Sequence, residues 1–143
     1  MSQIHGTVWW SELMTRDVAA ARAWYERVCG WLIEPMQIES GEYLVATAHG
    51  RPVAGIMDMT GLEGMDGVAP HWFTYFAVDD LDAALAEGGA AGGKTLREPF
   101  EVPDVGRIAI VSDASGAPTG LMVPVSEWDP PDTQAGSLEN VPV

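Results

Sequence analysis

Trp10-Ser11-Glu12-Leu13-Met14-Thr15-Arg16-Asp17 and Phe73-Thr74-Tyr75-Phe76-Ala77-Val78-Asp79-Asp80 are two readings of one pattern, set 63 residues apart. Large apolar or small polar character matches at most positions. Each segment enters an alanine-rich stretch, VAAARAWYERVCG after Asp17 and LDAALAEGGAAGG after Asp80. Both stretches end in glycine, at Gly30 and Gly93. WLIEPM and KTLREPF follow, with Pro35 and Pro99 marking one event after a one-residue slip. Gly55-Ile56-Met57 is later answered by Gly120-Leu121-Met122. Matched order, spacing and punctuation indicate an internal repeat.

Each copy reads as a βαβββ module. The first segment alternates as a half-buried strand does. The aspartate stands at the helix N-cap, where its carboxylate can accept from free backbone N–H groups. The alanine-rich run is a helix, and Val18, Ala21, Tyr25 and Val28 form its apolar stripe, with Trp24 beside it. Glycine ends the helix by entering the left-handed region. Three short strands follow, at about 32–38, 42–48 and 52–59, then at about 94–100, 106–112 and 118–124. Gly50 and Gly116 fall in the turns before the last strands. The expected class is therefore α+β, as two tandem modules: one at about 7–59, the other at about 70–124, with a glycine-rich linker at 60–69. The acidic, proline-containing tail at 125–143 is expected to be disordered or laid across the surface. A four-stranded module buries one sheet face under its helix and must cover the other. The second module supplies that cover, from the same chain or swapped from a second copy in a homodimer.

The chain has 143 residues, 47% hydrophobic and 20% charged, an ordinary globular mix for one domain. No apolar run approaches a membrane span. The start, MSQIHGTVWW, lacks a basic region followed by an apolar stretch and reads as no signal peptide. The single cysteine, Cys29, cannot form an internal disulfide, and a cytoplasmic location is expected. It reads as a packed thiol, without a histidine neighbour in sequence to activate it. The net charge of −14, with seven scattered Lys and Arg residues, argues against nucleic acid and anionic membranes as partners.

Trp24-Tyr25 late in the first helix, Gly30-Trp31 after it, Val78-Asp79-Asp80-Leu81 opening the second helix and the turn Asp113-Ala114-Ser115-Gly116-Ala117 resemble the vicinal oxygen chelate superfamily. This is the fold of glyoxalase I, bleomycin-resistance proteins and extradiol dioxygenases. The resemblance covers about 7–124 and implies a paired-sheet, barrel-like cavity. It also implies metal ligands on the first and last strand of each module. Counted back from the helix-opening aspartates, those places fall at Trp10 and Phe73, and at or beside Gly55 and Gly120. None offers a side-chain lone pair to a divalent ion, so no metal and no cofactor are expected. The resemblance is then to the bleomycin-resistance branch, which binds organic molecules in the same cavity.

Alternation directs Trp10, Glu12 and Met14 to the cavity, with Phe73, Tyr75 and Ala77 in the second copy. Met57 and Met122 follow by parity. Aromatic and thioether walls suit a flat or apolar organic ligand, and Gly55 and Gly120 leave room for its approach. Glu12 is the candidate acid or base, and Tyr75 a candidate donor to the same ligand. Arg107 can reach an anionic ligand at the rim or pair with Glu12. Three readings stay open. One is a small-molecule-binding protein. Another is an enzyme of the same superfamily (lyase, isomerase or oxygenase) using Glu12 or an atypical metal site. The last is an interaction module whose cavity is filled by Trp10, Phe73, Met57 and Met122. Gly88-Gly89-Ala90-Ala91-Gly92-Gly93-Lys94-Thr95 spells a phosphate-binding loop, but with the helix before it and the strand after it, the reverse of what phosphate binding needs. His5, His49 and His71 lack ligand spacing and read as surface or turn residues.

Overall fold

The computed structural model describes residues 3–38, 41–103 and 105–125; apart from Val125, the tail lies outside them. The elements run β1 (Val8–Thr15), α1 (Val18–Val28), β2 (Leu32–Ile38), β3 (Gly41–Ala48), β4 (Arg51–Asp58), β5 (His71–Ala77), α2 (Leu81–Ala90), β6 (Lys94–Val102), β7 (Gly106–Ser112) and β8 (Pro118–Pro124). This is an α+β chain in which βαβββ occurs twice. The described residues divide into two compact units, one within 10–73 and the other made of 3–9 with those from 74 to 125.

In the unit of residues 10–73 the strands run β2-β3-β4-β1. β1 and β4 are parallel and the other neighbours antiparallel. Asp17 caps α1, its Oδ1 accepting from Ala20 N at 3.1 Å. Val18, Ala21 and Tyr25 of α1 pack with Trp31 on a core of Leu13, Ile33, Leu44, Ala46, Ala54 and Ile56. Val28, in the last turn, stays 57% exposed, so the apolar stripe is shorter than its spacing suggests. Cys29 is the C-cap and is exposed rather than packed, because the helix end carries it clear of that core.

Ala48 pairs with Arg51 across a two-residue turn, in which His49 has φ 55° and Gly50 φ 80°. Both values belong to the mirror-image turn that matches strand twist, and a side chain at the first position is strained there. His49→Gly is expected to raise stability by about 0.5–1 kcal/mol, read as a higher denaturant midpoint at unchanged slope.

The linker is more regular than its composition suggests. Leu62 N donates to Met59 O, Met65 N to Leu62 O and Val68 N to Met65 O, at 3.2, 3.2 and 3.1 Å. Gly61, Gly64 and Gly67 hold φ of 78°, 81° and 77° between them, so consecutive turns repeat every three residues. Met59 is fully buried at their start, and Arg16 donates to Val68 O at 2.7 Å and Met65 O at 2.5 Å.

In the other unit the strands run β5-β8-β7-β6, with β5 and β8 parallel and the rest antiparallel. Asp80 caps α2 through Ala83 N at 3.0 Å. Gly92, not Gly93, takes the left-handed conformation (φ 99°), because α2 stops one residue earlier relative to its cap than α1 does. Gly92 N donates to Gly89 O at 3.2 Å and Gly93 N to Gly88 O at 2.8 Å, which closes the helix end. Val78, Leu81 and Ala109 are buried here, with Ala84, Leu85, Leu121 and Val123 against them.

Candidate functional site

β1 and β4 are in parallel register, with Glu12 opposite Gly55 and Met14 opposite Met57. Their alternate neighbours, Leu13 and Ile56, belong to the core under α1. Glu12, Gly55, Met14 and Met57 therefore share the sheet face away from the helix. On that face Trp10 Nε1 donates to the Tyr43 hydroxyl at 2.9 Å, and Tyr43 donates to Glu12 Oε2 at 2.8 Å. Tyr43 arrives from β3, and its hydroxyl and ring tip occupy the place a Cβ on Gly55 would take. Gly55 thus makes room for a tyrosine, not for the direct ligand approach that its small size suggests.

The same device recurs in the other unit. Tyr75 stands opposite Gly120, and its ring lies where a Cβ on Gly120 would be. Met122 pairs with Ala77 and Ile108, and all three are buried. Arg107 is not on this face. Its neighbours by alternation are Ala109 on β7 and, across the pair, Val123 on β8, both in the core under α2. Its guanidinium meets Asp82 of α2 at 3.5 Å and Glu101 of β6 at 3.6 Å, so an odd position on β7 directs it to the helix side. Phe73 is buried, with its ring centroid 6.5 Å from that of His71. His5 Nδ1 accepts from Asp79 N at 2.9 Å and serves the turn into α2.

Counting back from the aspartates puts Trp10 and Phe73 at the first-strand places, but the register puts Glu12 and Tyr75 beside the two glycines. Glu12 and Tyr75 lie two residues beyond Trp10 and Phe73 on the same strands, one pleat along and on the same face. Sequence reasoning missed Tyr43 altogether. Its parity on β3 matches Val45, the partner of Gly55, and that was the available signal.

The donor set does not suit a divalent ion. Glu12 is the one carboxylate in the Trp10–Tyr43–Glu12 group, it already accepts from a phenol, and an indole N–H has no lone pair to give. Among the described residues no three His, Cys, Asp or Glu gather as a metal site would require. Asp58 and Asp113 have carboxyls held below their ordinary pKa, and each serves a turn elsewhere. Asp58 is lowered first by the Thr60 side chain and then by its backbone N–H, and Asp113 by the Ser115 side chain and then by Ala117 N–H. Among the described residues no helix is long and apolar enough to cross a membrane.

The model of the Glyoxalase/Bleomycin resistance protein/Dioxygenase superfamily matches residues 4–119. The putative glyoxylase CFP32 of Mycobacterium bovis is 42% identical over 123 residues, 85% of this chain and 46% of that protein. The anthracycline biosynthesis protein DauV of Streptomyces sp. (strain C5) is 34% identical over 114 residues, 80% of this chain and 40% of that protein. The chain thus spans less than half the length of these relatives. Among solved structures, methylmalonyl-CoA epimerase from Mycobacterium tuberculosis has the same fold, with a TM-score of 0.64 at 18% identity, covering 89% of this chain and 94% of that one.

Proposed function

Because the chain belongs to the glyoxalase/bleomycin resistance protein/dioxygenase superfamily, we propose that it binds a small, flat aromatic or apolar organic molecule, without metal, on the sheet face that carries Trp10, Glu12 and Met57. The observation that carries this reading is the Trp10–Tyr43–Glu12 hydrogen-bonded set. It holds an indole and a carboxylate in fixed orientation beside two methionines, an apolar wall with one oriented polar group. The relative named for anthracycline biosynthesis supports an organic ligand.

A second reading makes Glu12 an acid or base of a lyase, isomerase or oxygenase. What favours it is that Tyr43 fixes the direction of the carboxylate, as proton transfer requires.

The test is a tryptophan-fluorescence titration with 2-naphthol, alongside metal analysis of the purified protein. Saturable quenching that disappears in Trp10→Phe is expected, with no stoichiometric metal. Glu12→Gln should weaken binding about tenfold, the value of a hydrogen bond to a charged group. Quenching that survives Trp10→Phe unchanged, or one tightly held transition ion per chain, overturns the reading. Turnover of any superfamily substrate that vanishes in Glu12→Gln favours the enzyme.

A further inference from the structure

The two modules differ on the helix side of their sheets. In the first, Tyr25 and Trp31 stack with centroids 4.9 Å apart and planes 11° apart, packed against the core under α1. Tyr25 also accepts from Trp72 Nε1 at 3.0 Å. Sixty-three residues on, Tyr25 is answered by Gly88 and Trp31 by Lys94. No ring stands at those two positions, and a ring comes instead from Phe76, the counterpart of Leu13. A half-open cavity of about 570 Å³ lies beside α2, lined among others by Phe76, Leu85, Gly88, Lys94, Val111 and Leu121.

We propose that this cavity is a second binding site, for a flat aromatic carboxylate that lies where the first module keeps its own two rings. It does not depend on the reading of the Trp10 face. Its volume falls inside the range of about 300–1,000 Å³ usual for small-molecule sites. The lining includes a phenyl ring with aliphatic side chains, which suits an aromatic plane. The side of α2 is open for structural reasons that a side chain could have removed. A Cβ on Gly88 or on Gly89 would meet nothing within 4 Å. Both lie in the last turn of α2, where a larger side chain would have had room to fill the cavity. The charge at the edge selects the anion. Lys94 is exposed, and among the described residues no ion pair engages it. The other charged lining residue, Asp113, is turned into its own hairpin, with Oδ1 accepting from Ser115 N at 2.8 Å, Ser115 Oγ at 2.6 Å and Ala117 N at 3.1 Å.

The test is a titration of methyl-labelled protein with naphthalene-2-carboxylate, followed by NMR. Saturable shifts are expected at the methyl groups of Leu85, Val111 and Leu121. Gly88→Tyr restores the ring of the first module and should weaken binding at least about tenfold with no loss of melting temperature. Gly89→Leu serves the same purpose if Gly88→Tyr does not fold. Lys94→Gln should weaken the carboxylate about threefold and leave naphthalene-2-methanol unaffected. Absence of shifts at those methyls at millimolar probe overturns the site. So does a folded Gly88→Tyr or Gly89→Leu protein that binds as wild type does. Equal affinity of Lys94→Gln for the carboxylate overturns its anionic character. Shifts confined to the methyl groups of Met14 and Met57 would place the probe on the other face and also overturn the proposal.

Discussion

Gly106→Val is expected to lower stability by about 3 kcal/mol, a fall of about 10 °C in Tm for a chain of this size. Two independent costs combine. Gly106 has φ 150°, a conformation that residues with a Cβ rarely adopt. A Cβ there would also collide with the Val123 carbonyl oxygen and come within 2.9 Å of Pro124 Cα. Both obstacles are backbone of β8. They cannot withdraw without breaking the Gly106–Pro124 pairing and the bond from Val125 N to Val105 O. Equilibrium denaturation checks it. A loss below about 1 kcal/mol would show that β7 and β8 part at that end without resistance.

Gly55→Val is expected to cost about 2–3 kcal/mol, because the Tyr43 phenol loses its hydrogen bonds to Trp10 and to the Glu12 carboxylate. The valine must displace the tip of Tyr43, which donates to Glu12 and accepts from Trp10. A side chain can swing where backbone cannot, so the fold should survive, unlike the strand junction at Gly106. Affinity for 2-naphthol should fall at least about tenfold as Glu12 and Trp10 lose their common partner. Tyr43→Phe separates the two effects. It keeps a ring over Gly55 and removes only the hydroxyl, so it should reproduce the loss of affinity with a smaller loss of stability. If Gly55→Val retains wild-type affinity and Tm, Tyr43 does not lock this face.

Much of the architecture could be read from the chain. Asp17 and Asp80, spaced 63 apart, cap the two helices as expected, because capping is decided within three residues. The alternation in β1 correctly separated Leu13 from Glu12, because pleating alone decides the face. Less local features escaped. Tyr43 lies 31 residues from Glu12, and its parity on β3 gives its face but not the place of its hydroxyl between an indole and a carboxylate. Arg107 is expected at the cavity rim or beside Glu12, whereas its parity on β7 directs it to Asp82 and Glu101. The linker looked polar and loose, although glycine at every third position is the mark of successive turns.

By itself, the sequence determined the modules, their order, their helix caps and which side chains share a sheet face. These follow from repeat spacing and from periods of 2 and 3.6 residues, which act over one or two turns of chain. Only the tertiary structure decided the register that sets Glu12 and Tyr75 beside the glycines, and the tyrosine that occupies each glycine's space. It alone brought Phe76, Gly88 and Leu121 to the lining of one cavity beside α2. Register and packing depend on which strands meet, and distant parts of the chain settle that together.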